Sequence, residues 1–252
     1  MGFTFNGSTS DSYGMVVKSI DRSALPPTRR RELVIPGRHG TYQFEDMKFD
    51  NRLITLSCFI TATGLENLRS QIRNIAGWLK GSGELSFDDE PTKFYTARLF
   101  NQIPLEHVAH HGMIELVFEA QPFAHSTLQT TEVTRTDVTP ISIVTTGTVE
   151  TPAIYTITNN GGAVNRVEIE ITQTKNGVPR TQSMVYTGSL ASSDVLIFDT
   201  EKFTLKKNGV NALVQFEGIF TDLEPGSNSV VIKSNTATRT LLVKVQYKNR
   251  WV

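Results

Sequence analysis

The sequence predicts a mainly β protein, arranged as two successive β units with a single α-helix in the first. Three observations carry that prediction. Apolar and polar residues alternate over several short runs, and turn-forming Asn-Gly, Gly-Gly and Pro-Gly pairs recur every ten residues or so in the second half. Only one segment repeats its apolar residues at three- and four-residue spacing.

In Leu53-Ile54-Thr55-Leu56-Ser57-Cys58-Phe59-Ile60, strand geometry puts Ile54, Leu56, Cys58 and Ile60 on one face, so Cys58 reads as core. The helical stripe follows, formed by Leu65, Leu68, Ile72, Ile75, Ala76 and Leu79. Thr63 suits its N-cap, and Gly81 or Gly83 its end. Residues 84–87, 93–103 and 113–120 read as strands, joined by turns at Asp88-Asp89-Glu90-Pro91 and at residues 107–112. Residues 127–148 are rich in threonine and poor in aromatics, which fits an exposed connection or an edge strand. The expected domains are therefore 1–128 and 129–252. In the second, Val167, Ile169 and Ile171 alternate with Arg166, Glu168 and Glu170, and Leu241, Val243, Val245 and Tyr247 alternate with polar or solvent-facing neighbours. Turns at Asn159-Asn160-Gly161-Gly162, Asn176-Gly177, Asn208-Gly209 and Pro225-Gly226 separate such strands, which predicts an antiparallel sandwich.

Composition narrows the function. The 252 residues suffice for two cores, and the 25 basic side chains balance the 25 acidic ones. That leaves no excess positive charge to grip a nucleic-acid backbone. The first residues lack a basic and then apolar leader, and no apolar run approaches the ~20 residues that cross a bilayer, so a soluble protein made in the cytoplasm and without a membrane partner is expected. A single cysteine excludes an internal disulfide.

Candidate chemistry is sparse. His107, His110 and His111 could hold a borderline metal, but they lack further ligands at a recognisable spacing beyond Glu106, and a solvated hairpin loop is the expectation. Asp88, Asp89 and Glu90 could supply an acid and a base or bind calcium, yet three adjacent carboxylates before proline suit a polar turn and lack the calcium-loop spacing. Cys58 points inward, and the sequence has no Gly-x-Ser-x-Gly elbow, P-loop or dinucleotide fingerprint. No catalytic, cofactor-binding or metal residue is assigned, no cofactor is expected, and the chain is not expected to be an enzyme. Arg29, Arg30 and Arg31, on an arm stiffened by Pro26 and Pro27, suit two-pronged contacts with a neighbouring subunit's carboxylates, or a solvated loop. Tyr155, Tyr186 and Trp251 could stack on sugar rings, although the alternation around them favours packing.

Six short motifs occur in order through the first half: Phe5-Asn6-Gly7, Ser12-Tyr13-Gly14, Ile35-Pro36-Gly37-Arg38-His39-Gly40, Ala76-Gly77-Trp78-Leu79, Phe87-Asp88-Asp89-Glu90-Pro91 and Gln121-Pro122-Phe123-Ala124. In order and spacing, together with the intervening helix, this stretch resembles the N-terminal half of the distal tail protein (Dit) family of long-tailed, siphovirus-type bacteriophages, over residues 3 to about 125. The second half is similar, more loosely, to the galectin-like or carbohydrate-binding-module-like sandwich of that family, through residues 147–152, Phe198-Asp199, Asn208-Gly209, residues 223–226, Asn228 and Trp251. His39 departs from the acidic residue expected between Arg38 and Gly40.

The resemblance implies a tail-tube-like β-sandwich or barrel with one helix, followed by a peripheral sandwich. It further implies a homohexameric ring at the distal end of the virion tail, joining the major tail tube protein to tail-tip or tail-associated proteins, among them a tail lysin or receptor-binding proteins. DNA would meet it only in passing through the channel. A ring needs a head-to-tail interface, for which the candidates are Arg29, Arg30 and Arg31 on the arm 19–32, with Pro36, Arg38 and His39 in the following turn. Two other classes stay open: a carbohydrate-binding module for host cell-wall attachment, and a cell-wall hydrolase that would depend on Asp88 or Glu90.

Overall fold

Short apolar alternations close into antiparallel sheets in both halves of the chain. The computed structural model describes residues 1–29, 31–44, 48–61, 64–105, 112–236 and 238–252, which form two compact units, Met1–His125 and Ser126–Trp251.

The strands of the first unit are β1 (Phe3–Phe5), β2 (Ser8–Thr9), β3 (Met15–Arg22), β4 (Arg31–Val34), β5 (Thr41–Phe44), β6 (Arg52–Ile60), β7 (Ser82–Phe87), β8 (Glu90–Leu99), β9 (Met113–Ala120) and β10 (Ala124–His125). Its main sheet runs β2-β1-β7-β8-β9-β6-β3, with β10 beside β8, and β4 and β5 stand apart as a two-stranded sheet. Ile54, Leu56, Cys58 and Ile60 all face the core, as their period of two requires. Burial pushes the Cys58 thiol up to about 12, so it stays protonated and inert at neutral pH. The strand expected over 93–103 starts earlier, at Glu90, and ends at Leu99, leaving Phe100 exposed.

The helix α1 spans Leu65–Trp78. Its buried side chains are Ile72 and Ile75, with Leu79 buried just beyond the end; Leu65 and Ala76, expected on the same stripe, face solvent. The buried stripe is narrower than its sequence, confined to Ile72, Ile75 and Leu79, with the Trp78 ring stacked on Phe3 and Tyr13. Thr63 lies outside the described residues, and the N-cap position is Gly64. The helix ends before either glycine expected to stop it, and Gly83 instead sits inside β7, where a Cβ would lie 2.1 Å from Asn6 Oδ1.

In the second unit, β11 (Gln129–Arg135), β13 (Ala153–Asn159), β16 (Val195–Asp199), β17 (Thr204–Lys207), β18 (Val210–Asn211) and β21 (Leu241–Tyr247) form one sheet in the order β11-β21-β13-β16-β17-β18. A second sheet, β12-β20-β14-β15-β19, contains β12 (Ile141–Thr145), β14 (Val164–Lys175), β15 (Val178–Leu190), β19 (Phe216–Gly218) and β20 (Gly226–Ser234), and β22 (Arg250–Trp251) ends the unit. Tyr155, Phe198 and Val243 from one sheet and Ile169, Tyr186 and Val230 from the other belong to a single buried cluster, the core of a sandwich. The threonine-rich segment supplies two edge strands, β11 and β12. Buried polar side chains close the ends: Asn228 Nδ2 donates to Glu224 O at 2.9 Å and its Oδ1 accepts from Glu224 N at 3.0 Å.

One ion pair here makes a pH prediction. Asp194 accepts from Asn208 Nδ2 at 2.7 Å and Ala191 N at 2.8 Å, and it meets Lys207 Nζ at 2.9 Å. The Asn208 bond first, then Lys207 and the Ala191 amide, lower its carboxyl to about 2. A folded-state value below the ordinary ~3.9 means the contribution is complete above about pH 4 and is lost as pH falls through about 2. Asp194→Asn should therefore melt below wild type at neutral pH, with the gap closing across that window in a thermal series; a gap independent of pH would contradict the assignment.

Candidate assembly surface

Five of the six motifs meet in the framework of the first unit, not in a reactive site. Asn6 and Gly7 turn β1 into β2 with both residues at positive φ, and Asn6 Oδ1 accepts from Glu84 N at 3.1 Å. The Tyr13 ring stacks on Trp78 at 4.2 Å with planes 4° apart, Phe3 stacks against Trp78 at 5.4 Å, and Trp78 Nε1 donates to Phe5 O at 3.0 Å. Gly14 follows at φ 63°, where a Cβ would lie 2.3 Å from Gln71 Nε2, itself donating to Tyr13 O. An open polar groove of about 600 Å³ runs beside this cluster, lined by Ser12, Tyr13, Gln71, Arg73, Asn74 and the exposed Gly77.

Two of the three adjacent carboxylates are ion-paired. Asp89 binds Arg22, Glu90 lies 3.3 Å from Arg22 Nη1 and 2.5 Å from Lys93 Nζ, and the Arg22 guanidinium lies over Phe87 at 4.9 Å. Asp88 donates its amide to Gly2 O at 3.2 Å. Two carboxylates shared by two cations are ordinary turn anchors, not an acid and base held in different environments. At the last motif, Phe123 meets Phe49 edge-on at 5.7 Å, and Ala124 is buried. His107, His110 and His111 lie outside the described residues; among those described, no three His, Cys, Asp or Glu side chains are placed to hold a metal ion, and no helix is long and apolar enough to cross a membrane.

The remaining motif differs in kind. Residues 35–40 form the tip of the β4–β5 hairpin, with Arg38 N donating to Ile35 O at 3.1 Å and Gly37 at φ 82°. The arm expected to be extended over 19–32 is divided: residues 19–22 belong to β3, Thr28 bridges Phe49, Arg29 N donates to Lys48 O at 2.7 Å, and β4 begins at Arg31. The hairpin thus stands on a paired base. Arg29 reaches Asp50 there at 3.1 Å, both half exposed. Arg30 and the side chain of Arg31 lie outside the described set, while Pro36, Arg38 and His39 are exposed at the tip.

Register puts Leu33 opposite Tyr42 and Arg31 opposite Phe44, so Leu33, Tyr42 and Phe44 share one face. They are 51%, 47% and 51% exposed, and Val34 on the opposite face is 71% exposed. Tyr42 and Phe44 touch edge to face at 5.0 Å. Among the described residues no sheet or helix covers these side chains; a two-stranded ribbon of this kind is marginal alone, and such exposed apolar area marks an interaction surface. Alternation at residues 33, 42 and 44 was the available signal, hidden by the proline and glycines between the strands.

Tyr155 and Tyr186 are fully buried and present no face to a ligand. In the second unit Phe203, 62% exposed at φ 52°, lies 5.9 Å from Phe220, which stacks at 4.2 Å on Phe216; the latter two are partly buried against the sandwich core.

Comparison with known proteins agrees with this architecture. Residues 11–120 match the phage tail protein RIFT-related domain, and residues 146–251 match the siphovirus-type tail component C-terminal domain. Among solved structures, the chain is similar to the SPP1 Dit (gp 19.1) protein, a paradigm of the hub adsorption apparatus in phages infecting Gram-positive hosts, at 14% identity and a TM-score of 0.71 over 100% of this chain and 99% of that one. A β-fructofuranosidase from Schwanniomyces occidentalis aligns with 88% of this chain and 59% of its own at 10% identity, and its TM-score of 0.27 carries no argument. No curated protein matches. The paired domains and the β architecture define a structural component of a phage tail. Within that class, the chain belongs to the distal tail protein family of siphovirus-type phages.

Proposed function

We propose that this chain closes into a homohexameric ring at the distal end of the tail, a hub that joins the tail tube to tail-tip or baseplate proteins. Residues 1–128 form the ring and residues 129–252 the peripheral sandwich. The observation that carries the reading is the exposed β4–β5 hairpin, whose apolar face and tip residues Pro36, Arg38 and His39 suit one side of a head-to-tail contact, with Arg29 at its base and Arg31 opening β4. The similarity to SPP1 Dit, described as a hub paradigm, supports the same role. Its partners are the major tail tube protein and a tail-associated protein, and DNA only traverses the channel, as the balanced charge allows. The ring works by contact and not by turnover, a reading supported by the ion pairs that hold Asp89 and Glu90 in the turn. It is made in the host cytoplasm and assembled into the virion. Negative-stain images of purified protein should show sixfold rings with a central hole; particles that remain monomeric at high concentration would refute the hub.

A second reading rests on the exposed Phe203, backed by the partly buried Phe220, as an aromatic side chain suited to sugar-ring stacking during host cell-wall attachment. Measurable retention of the full chain on cell-wall polysaccharide, abolished by Phe203→Ala, would support it.

A further inference from the structure

The chain contains four Asn-Gly pairs: Asn6-Gly7, Asn160-Gly161, Asn176-Gly177 and Asn208-Gly209. Glycine after asparagine leaves its backbone nitrogen unshielded by a side chain, so that nitrogen can attack the asparagine side-chain carbonyl. Whether it does so in a folded protein depends on what holds the two groups. We propose that Asn176 is the site of spontaneous deamidation in the folded protein, and that the fold protects the other three pairs.

Asn176 and Gly177, at φ 51° and 77°, form the exposed tip joining β14 to β15, beyond the last cross-strand pair, Lys175 with Val178. The Asn176 side chain makes no hydrogen bond among the described residues, and no atom lies within 4 Å of the space beside the Gly177 Cα. The amide can therefore rotate over the following peptide without breaking a contact.

Each of the other pairs is held. Asn6 Oδ1 accepts from Glu84 N at 3.1 Å, and its amide lies against Gly83. Asn208 is held at both ends, with Oδ1 accepting from Val195 N at 2.8 Å and Nδ2 donating to Asp194 Oδ1 at 2.7 Å. At Asn160 the attacking group is the one restrained, because Gly161 N donates to Asn159 Oδ1 at 3.0 Å. Asn159 is itself fully buried, its Nδ2 donating to Gly162 O, Leu190 O and Ala191 O.

The chemistry needs only water and base. The Gly177 nitrogen, after losing its proton, bonds to Asn176 Cγ, and the bond from Cγ to the side-chain nitrogen breaks. That nitrogen leaves as ammonia, closing a succinimide ring. Water then opens one ring carbonyl to give aspartate or the other to give isoaspartate, so an amide and a water become a carboxylate and an ammonium with no change of oxidation state. The product adds one negative charge beside Lys175, in a chain whose charges otherwise balance.

The test is incubation of the folded full-length protein in mildly alkaline buffer made with ¹⁸O-water, followed by peptide mapping. Conversion at Asn176, carrying one heavy oxygen, should lead the other three pairs by at least about tenfold, the factor expected for rupture of one or two hydrogen bonds. In denaturant the four rates should converge to within a few-fold, and Asn176→Gly, which keeps a left-handed turn, should abolish the new acidic band on isoelectric focusing. Another pair leading, Asn176 reacting no faster than Asn211, which precedes alanine, or the same ranking in denaturant would each overturn the assignment.

Discussion

Replacing Trp78 by alanine is expected to remove about 3 kcal/mol from the stability of the first unit, the lower end of the range for large aromatic truncations because the ring is only part-buried. Trp78 is the one side chain at which three motifs meet. It is stacked between Tyr13 and Phe3, and its indole N–H anchors the carbonyl of Phe5. Alanine would leave both faces of that stack and the Phe5 carbonyl without their partner. Thermal unfolding should fall by roughly 10 °C for a unit of this size. Trp78→Phe should recover most of the stacking and little of the hydrogen bond, landing between the two. A loss under about 1 kcal/mol in the alanine variant would mean the cluster is ornamental to the fold.

The second large effect falls on assembly and leaves folding alone. Exchanging Leu33, Tyr42 and Phe44 together for serine removes three half-exposed apolar side chains that share the hairpin face. Surface substitutions of this kind change monomer stability little, about 0.5 kcal/mol each. If the face is buried between subunits, each half-exposed side chain has only about half its area left to bury and contributes about 0.7–1.5 kcal/mol to the contact, and the combined loss weakens association by at least about thirtyfold. Light scattering should then report smaller species at concentrations where the wild-type chain assembles, with a melting profile within a few degrees of wild type. Rings that persist in the variant would move the interface off the hairpin, whereas a monomeric wild type would remove the ring itself.

Much of the fold could be read from residue order, for physical reasons that differ by element. The alternation around Cys58 and along residues 241–247 survived intact because strand side chains have a period of two and one face of each strand is buried. The Asn-Gly turns at 176–177 and 208–209 appear where expected, since their positive φ angles are local chemistry. Helix burial was less legible: Leu65 and Ala76 obey the apolar spacing yet face solvent, because spacing defines a stripe and not how much of it the sheet covers. Strand order was beyond reach, since the pairing of β1 with β7 and of β6 with β9 spans most of the first unit. The candidate surface was half visible. Pro36, Arg38 and His39 were singled out, but the face built by Leu33, Tyr42 and Phe44 exists only once the hairpin register is known.

The six-stranded sheet of the C-terminal unit has a consequence for how such chains change. The first strand of the C-terminal unit, β11, runs alongside its last long strand, β21, with Gln129 opposite Tyr247. Chain entry and chain exit therefore share one corner of the sandwich, and a transplant made at those two points has to span only the gap between neighbouring strands. Insertion or replacement at that corner would therefore disturb one neighbourhood of the sandwich and leave its two sheets paired as they are.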